Sequence, residues 1–258
     1  MKAYTVQLDI AWEDKKANYR KVSALLQEAG VAAGSLIVLP EMFATGFSMN
    51  LGATREGSPS ETEAYLRGLA QAHASFVLGG VVNVNADARA YNQAVVFSPE
   101  GQLLCRYSKI HPFTLGGEAA CYTAGSELVS FNWRGMTVAP FICYDLRFPE
   151  VFRAAVGRGA QLFAVIANWP VKREQHWMTL LQARAIENQV WIVAAAQWGK
   201  HNEKRESYGH SLIVDPWGTI VGERAEGDGV VVHALSGAEV DKRRAQMPCG
   251  RHAVLWKR

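Results

Sequence analysis

An apolar run passes directly into a polar turn in the stretch Thr137-Val-Ala-Pro-Phe-Ile-Cys-Tyr-Asp-Leu-Arg-Phe-Pro149. Residues 137–142 predict a strand, because a continuous apolar run of this length is typical of a strand covered on both faces. The turn then places Cys143 at the strand end, where the backbone is held in a sheet and the thiol can face a pocket. The stretch therefore predicts a sheet buried on both sides, with a reactive group at its rim.

Outward from this strand, the chain alternates short β-rich runs with helical patterns. Three further apolar runs predict buried strands: Ser35–Leu39, Leu162–Ala167 and Trp191–Ala196. Helices are predicted over Lys15–Ala29 and Glu174–Asn188. The turn signals Ser98-Pro-Glu-Gly101 and Asp215-Pro-Trp-Gly218 predict β-hairpins, whose strands must be antiparallel. We therefore expect an α/β (α+β) fold with mixed sheets and helices outside them, rather than a purely parallel doubly wound sheet.

Size and charge exclude several classes of protein. The 258 residues are 49% hydrophobic, which is ordinary for a globular protein, and we expect residues 1–258 to form a single domain. The net charge of +3 is spread along the chain, so neither nucleic acid nor an anionic membrane is a predicted partner. The one dense basic stretch, Lys242–Arg244, is predicted to face solvent. No window approaches 18 apolar residues, so no transmembrane helix is expected.

The cysteines indicate neither a disulfide framework nor a metal site. Only four occur, at positions 105, 121, 143 and 249, and no pair has the C-x-x-C spacing of zinc sites and redox dithiols. We therefore predict no metal and a reducing cytoplasmic location.

Three strand ends carry the side chains that a nucleophile, its base and an electrostatic stabiliser require. Cys143 ends the strand quoted above, Glu41 follows Ile37-Val-Leu-Pro40, and Lys109 follows Leu103–Ser108. A thiol with a pKa near ~8.5 needs a base or a cation to react at neutral pH. Apolar neighbours would raise the pKa of the Glu41 carboxyl toward the range useful for proton transfer, and an ammonium would stabilise an oxyanion. Each residue alone also has a structural alternative: a core thiol, a surface or capping carboxylate, a solvated lysine.

Other polar residues widen the choice of mechanism. The backbone amide of Tyr144 is a candidate oxyanion donor, because it directly follows Cys143. Three histidines, His111, His176 and His210, offer a rival Cys–His mechanism, with hydrogen-bonded structural histidines as the alternative. The segment His111–Gly125 is predicted to be irregular, and long irregular loops in compact domains are often functional.

The chain resembles the nitrilase (carbon–nitrogen hydrolase) superfamily over essentially its full length. The resemblance is carried, in chain order, by Leu39-Pro-Glu-Met-Phe43 with Thr45-Gly-Phe47, Tyr107-Ser-Lys-Ile-His-Pro-Phe113, Cys143-Tyr-Asp-Leu-Arg-Phe-Pro149, Ala167-Asn-Trp-Pro170, His176-Trp177, Ala183-Arg-Ala-Ile-Glu-Asn-Gln189, Tyr208-Gly-His-Ser211 and Asp215-Pro-Trp-Gly218. It implies a four-layer α-β-β-α sandwich and a catalytic set of Glu41, Lys109, Cys143 and, by its spacing from Lys109, Glu118. It also implies a homodimer or higher homo-oligomer, with residues 241–258 as a tail at the interface, and no cofactor.

Within the superfamily, the motif at Cys143 is similar to the omega-amidase branch. That likeness implies hydrolysis of a terminal amide of a small dicarboxylate monoamide, including 2-oxo acids. Arg147 and Arg184 are candidates to bind a substrate carboxylate, each with a structural ion pair as the alternative. Phe113 and Trp169 are expected to line or cover the pocket. The other functions left open are a nitrilase, an aliphatic or carbamoyl amidase, and a non-catalytic binding protein.

Overall fold

The computed structural model describes residues 1–57, 59–84, 89–202, 205–252 and 254. The strands are β1 (Lys2–Asp9), β2 (Leu36–Val38), β3 (Phe76–Val84), β4 (Ala90–Phe97), β5 (Leu103–Ser108), β6 (Phe131–Trp133), β7 (Met136–Ile142), β8 (Leu162–Ala167), β9 (Trp191–Asn202), β10 (Arg205–Tyr208), β11 (Ser211–Val214), β12 (Ile220–Arg224) and β13 (Gly229–Ala234). The helices are α1 (Lys15–Ala29), α2 (Leu51–Thr54), α3 (Glu61–Ala72), α4 (Glu118–Cys121), α5 (Pro149–Gly157), α6 (Glu174–Asn188), α7 (Gly237–Gln246) and α8 (Cys249–His252). Short 3₁₀ turns cover Thr114–Gly116, Cys143–Arg147 and Val171–Arg173.

The strands form two mixed sheets joined by the long strand β9. The first sheet has the order β5-β4-β3-β2-β1-β13, with β1, β2 and β3 parallel and the other pairs antiparallel. The second has the order β6-β7-β8-β9-β11-β12, with β7, β8 and β9 parallel. The far end of β9 pairs with β1 and β10, which connects the sheets. This mixture of pairings confirms the predicted mixed α/β architecture.

The two sheets pack face to face between two layers of helices. On β1, alternate residues such as Tyr4 and Val6 share a core with apolar residues of α1 and α3, whereas Ala3 belongs to the core between the sheets. Thr5 bridges the sheets directly, since its hydroxyl donates to the carbonyl of Ala194 on β9 at 2.8 Å. Apolar residues of α5 and α6 pack on the second sheet. The layers therefore run α-β-β-α, as the sequence resemblance implies.

Several predicted elements match the structure closely. Strand β8 and helix α6 have the predicted limits, and the strand predicted over Thr137–Ile142 begins one residue earlier, at Met136. The turn at Ser98–Gly101 joins the antiparallel pair β4–β5, and Asp215–Gly218 joins β11–β12. Because β2, β5 and β7 end at one rim of the sandwich, the residues that follow them can meet there.

Two local predictions were wrong. Glu118 is not in a fully irregular loop, because it begins the short helix α4. The basic stretch at the C-terminus does not face solvent throughout. Lys242 is exposed, but Arg243 is half-buried and pairs with Glu239, and Arg244 is half-buried and donates to the carbonyls of Ala160 and Asn188.

The C-terminal tail, predicted from Asp241 onward, forms the end of α7 and the short helix α8, and residues 253 and 255–258 lie outside the described residues. No helix among the described residues is long and apolar enough to cross a membrane.

Candidate active site

The thiol of Cys143 lies in a sharp turn at the end of β7. Cys143 has a φ of +47°, which lies in the left-handed region. This conformation is uncommon for residues other than glycine and is often found at functional sites. The side chain is 8% exposed and lines a cleft of about 930 Å³. Its Sγ lies 3.4 Å from the carbonyl oxygen of Asn168, which follows β8. The sulfur is therefore presented to a pocket while its backbone remains tied to the second sheet.

The buried carboxylate of Asp145 fixes this turn to the first sheet. One oxygen accepts hydrogen bonds from the Tyr107 hydroxyl at 2.8 Å and the Ile142 amide at 3.1 Å. The other accepts from the backbone of His111 at 3.0 Å and contacts the His111 ring at 2.8 Å. Because Tyr107 and His111 flank Lys109, Asp145 sets the distance between the thiol and that lysine.

Glu41 is completely buried after β2, where close backbone packing fixes its position. Met42 has a φ of +45°, and a Cβ built on Gly80 of β3 would lie 2.4 Å from the Met42 nitrogen. Only glycine at position 80 therefore allows this turn to lie against the sheet. One Glu41 oxygen accepts the Asn168 amide at 2.8 Å, and the Cys143 thiol contacts the carbonyl oxygen of the same residue, so Asn168 holds the carboxylate and the thiol side by side.

Lys109 joins Glu41 to Glu118. Its Nζ lies 2.9 Å from Glu41 Oε1 and 3.1 and 2.9 Å from the two oxygens of Glu118, and the lysine side chain is 1% exposed. The backbone of Lys109 is held from both sides by Asn92 of β4 and Gly125. A Cβ on Gly125 would lie 2.3 Å from the carbonyl oxygen of Ser108, so a larger residue there would displace the lysine.

A fourth buried side chain, Asn92, completes this group, and the sequence motifs do not single it out. Its amide nitrogen donates to Glu41 Oε1 at 2.7 Å and to Glu118 Oε1 at 2.8 Å. We refer to Glu41, Asn92, Lys109 and Glu118 as the buried cluster. The local signal for Asn92 is the β4–β5 hairpin, which brings residues of β4 opposite the end of β5. The register of this strand pair shifts between Val96 and Phe97, however, and the shift changes which residue of β4 lies opposite Lys109.

Burial is the largest single influence on the pKa values of Glu41, Cys143 and Lys109. It raises the pKa of the Glu41 carboxyl, against the opposing effect of the Lys109 ammonium. Burial and the carboxylates of Glu41 and Glu118 raise the pKa of the Cys143 thiol well above its ordinary value, and Lys109 only partly offsets this. Burial alone would lower the pKa of Lys109, but the two carboxylates outweigh it and raise that pKa. These shifts favour a neutral Cys143 thiol and a Lys109 ammonium, and they move the pKa of Glu41 toward the range of a general base.

All four residues predicted to surround the substrate line the same cleft as Cys143: Phe113, Tyr144, Arg147 and Trp169. Their aromatic rings pack around the guanidinium groups at its entrance. The Arg147 guanidinium lies 4.9 Å from the Trp169 ring centre and 5.9 Å from that of Tyr144, and the Arg173 guanidinium lies 5.3 Å from that of Phe113.

The cleft opening is strongly positive. We refer to its four basic residues, Arg147, Lys172, Arg173 and Lys200, as the cleft mouth. Within the described part of the chain, none of the four forms an ion pair, and the one acidic residue that lines the cleft is Glu206. Burial, and then the charge of Arg173, lower the pKa of Arg147, which shows that the two guanidinium groups repel each other.

Arg184 and the three histidines make the contacts expected of residues with a structural role. Arg184 pairs with Glu187 at 3.0 Å and donates to the Leu146 carbonyl at 2.8 Å, so it supports the turn that begins at Cys143. His111 contacts Asp145, His176 contacts Arg147, and His210 contacts Glu223.

Comparison with known proteins identifies the family. The family model described as carbon-nitrogen hydrolase matches residues 2–245. The chain is a carbon–nitrogen hydrolase. Over 94% of the chain and 93% of the relative, it is 34% identical to 2-oxoglutaramate amidase of Bacillus subtilis. It is 36% identical to omega-amidase YafV of Yersinia enterocolitica, over 91% of the chain and 89% of the relative.

Solved structures of carbon–nitrogen hydrolases have the same fold. A superfamily protein from Xanthomonas campestris, whose structure carries an arsenic adduct in the active site, superposes with a TM-score of 0.91 at 32% identity, covering 98% of this chain and 97% of that one. The predicted family and fold class are thereby confirmed.

The candidate site is built from carboxylate, amide, ammonium and thiol groups. In the part of the chain that the structure describes, no set of three or more His, Cys, Asp or Glu side chains is arranged to hold a metal ion. Besides Asn92, the structure adds Arg173, Gly80 and Gly125 to the residues that the motifs contain, and it gives a positioning contact to Asp145 of the Cys143 motif. The glycines act through close backbone contacts, which leave no local pattern in the sequence.

Proposed function

We propose that the protein hydrolyses the terminal carboxamide of a small, carboxylate-bearing substrate to an acid and ammonia, through a thioester on Cys143. The observation that carries this proposal is that a buried thiol and the Glu41 carboxylate are both held against the backbone of Asn168, with Lys109 paired to Glu41, at the floor of a cleft whose mouth is cationic. A short dicarboxylate monoamide fits this cleft, because its amide would lie beside Cys143 and its carboxylate among the cations of the cleft mouth.

The first half of the reaction begins with a neutral thiol. Glu41 takes the proton of Cys143 as the sulfur attacks the amide carbon, because a thiol with a raised pKa needs a base in contact with it. The carbonyl oxygen becomes an oxyanion, stabilised by the Lys109 ammonium and the Tyr144 backbone amide. Glu41 then gives its proton to the departing nitrogen, the C–N bond breaks, and ammonia leaves an acyl thioester.

Water completes the cycle through the same groups. Glu41 takes a proton from water as its oxygen attacks the thioester carbon, and the second oxyanion uses the same stabilising groups. When the C–S bond breaks, the proton returns from Glu41 to the Cys143 sulfur. Glu118 serves throughout as the fixed counter-charge of Lys109, since both its oxygens contact the ammonium and one also accepts the Phe113 amide.

The cations of the cleft mouth indicate that the substrate carries a negative charge. Arg147 and Arg173 lie in the lining of the cleft that holds Cys143, and neither has a carboxylate partner among the described residues. A guanidinium group binds a carboxylate with two parallel hydrogen bonds, which suits an anionic substrate better than a neutral one. The names of the relatives, 2-oxoglutaramate amidase and omega-amidase, agree with such a substrate.

Ammonia release from a matched set of compounds tests this proposal. The set contains 2-oxoglutaramate, 2-oxosuccinamate, the methyl ester of each at the distal carboxylate, a neutral aliphatic amide and an aliphatic nitrile. We expect the free acids to be the best substrates and each ester to lose about 10- to 100-fold in kcat/KM, the range for charged hydrogen bonds. Equal rates on acid and ester would contradict an anion-binding mouth.

The other functions left open by the sequence give different results with the same compounds. Preference for the nitrile would indicate a nitrilase, and preference for the neutral amide would indicate an aliphatic amidase. If no compound releases ammonia, and if substrate does not protect Cys143 from a thiol reagent, a non-catalytic binding protein is favoured instead.

The proposal extends to the location and assembly of the protein. The four cysteines are free, which fits a reducing cytoplasm. A homodimer or higher homo-oligomer is proposed because large apolar side chains near the C-terminal helices are exposed, including Ile186, Trp217 and Met247. That residues 1–258 form one domain, with 241–258 at the interface, stays a prediction. Light scattering at several protein concentrations measures the assembly, and a monomer at all of them would contradict it.

A further inference from the structure

Asn92 occupies an unusual position between two acidic side chains. Its single amide nitrogen donates to Glu41 Oε1 at 2.7 Å and to Glu118 Oε1 at 2.8 Å, so both amide hydrogens are used on carboxylates. The same two oxygens also contact the Lys109 ammonium. Two donors of different charge therefore hold one pair of carboxylate oxygens together in a fully buried site.

The other end of the Asn92 side chain has no partner. Its Oδ1 is buried and accepts no hydrogen bond from any described residue. A buried polar atom without a partner is costly, and an apolar residue of the same shape, such as leucine, would avoid that cost. The donor end of Asn92 is therefore the part that is needed at this position.

Lys109 cannot replace the hydrogen bonds of Asn92. An ammonium has three hydrogens, and Lys109 already makes three contacts: one to Glu41 and two to Glu118. The lysine carries one positive charge against two carboxylates, so the three side chains together are one charge negative when both acids are ionised. Without a second donor, mutual repulsion would move the carboxylates apart or lead one of them to bind a proton.

We propose that Asn92 is a positioning residue for the hydrolysis proposed above: its two amide hydrogens hold the carboxylates of Glu41 and Glu118 side by side and favour the ionised form of Glu41. Glu118 then remains the counter-charge of Lys109, and Glu41 keeps a free basic site for the Cys143 proton. Asn92 itself touches neither the substrate nor the thiol in this arrangement. It acts through Glu41.

The replacement Asn92→Leu tests this role, because it keeps the size of the side chain and removes both donors. We expect kcat to fall about 10- to 100-fold, as for the loss of hydrogen bonds to a charged group, with KM changed much less. The acidic limb of the pH profile of kcat/KM should move to higher pH, since removing donors to the ionised form makes protonation of Glu41 easier. Asn92→Asp adds a third carboxylate and should move the limb in the same direction.

A second measurement is independent of the substrate. Neutral iodoacetamide alkylates Cys143 with assistance from Glu41, and mass spectrometry follows the modified peptide across pH. The profile for Cys143 should shift with the turnover profile in Asn92→Leu, whereas the exposed Cys249 provides an internal reference that does not shift. If no amide is turned over but this shift occurs, the proposed function fails and the role of Asn92 stands.

Gln93→Leu is the matched control. Gln93 is the next residue on β4 and also loses an amide, but its side chain bonds Ser108 and Arg106, outside the buried cluster. It should leave kcat and both pH profiles unchanged. The proposal is overturned if Asn92→Leu keeps the wild-type acidic limb in both measurements, whether or not its thermal stability falls. If that variant does not fold, Asn92→Ser, which keeps one donor, should move the limb in the same direction by less.

Discussion

The buried cluster and the cleft mouth are two charged regions of one cleft, and they treat their charges in opposite ways. In the buried cluster every carboxylate and the ammonium are paired, and the side chains have almost no exposure. In the cleft mouth four cations lie near each other, and none forms an ion pair among the described residues. Under the proposed function, the charges paired within the protein serve the chemistry, and the cations of the cleft mouth bind the carboxylate of the substrate.

This difference separates two kinds of kinetic effect. On the proposed mechanism, a change in the buried cluster alters proton transfer and oxyanion stabilisation, so it should lower kcat for every substrate. A change in the cleft mouth removes binding to one part of the substrate, so it should depend on the charge of that substrate.

The largest effect is expected for Cys143→Ala, which removes the acyl acceptor between the two regions. Ammonia release should fall by more than about 10⁴-fold, because no other group provides the covalent route. The residue is small and stays at the same turn, so the thermal midpoint should change by only about 3 °C. Measurable turnover near the wild-type rate would show that the thiol is not the nucleophile.

Glu41→Gln should have the next largest effect. The amide preserves the shape of the side chain but cannot accept the thiol proton, and a positioned base contributes about 10²- to 10⁴-fold. We expect kcat to fall by that factor, equally for substrates with and without a carboxylate. In the wild type, the raised pKa of Glu41 means that activity is lost on acidification at a higher pH than for an ordinary carboxyl group. Normal turnover by Glu41→Gln would instead favour a histidine as the base.

Smaller and selective effects are expected at the cleft mouth. Arg147→Gln and Arg173→Gln should each raise KM for a carboxylate-bearing amide, with a loss of about 10- to 100-fold in kcat/KM, while kcat changes little. Against the methyl ester of the same amide, both variants should match the wild type. Lys172→Gln, a change to a neighbouring exposed cation, provides the control and should have a much smaller effect. Equal losses on acid and ester would place both arginines in the chemistry rather than in recognition.

The success of the sequence predictions depends on how local each signal is. Strand β8 and helix α6 were predictable at both ends, because their patterns are complete within each segment. The placement of Glu41, Lys109 and Cys143 at strand ends follows from the same patterns. Asn92 was not predictable in this way: the register shift in the β4–β5 hairpin decides which residue lies opposite Lys109. The sequence predicts an irregular loop at Glu118, but in the structure the backbone amide of Tyr122 donates to the Glu118 carbonyl and closes a helical turn.

By itself, the sequence determined the order of the elements, the mixed sheets and the three strand ends that carry the thiol, the carboxylate and the ammonium. Apolar periodicity and motif spacing are properties of short segments, so they can be recognised without knowing the fold. Only the tertiary structure decided which charges are paired. Lys109 meets Glu41 across 68 positions of sequence, and Arg147 approaches Arg173 only after β7 and β8 pack side by side. Those contacts depend on strand register and on close packing at glycines, which are set by the whole sandwich rather than by any one segment.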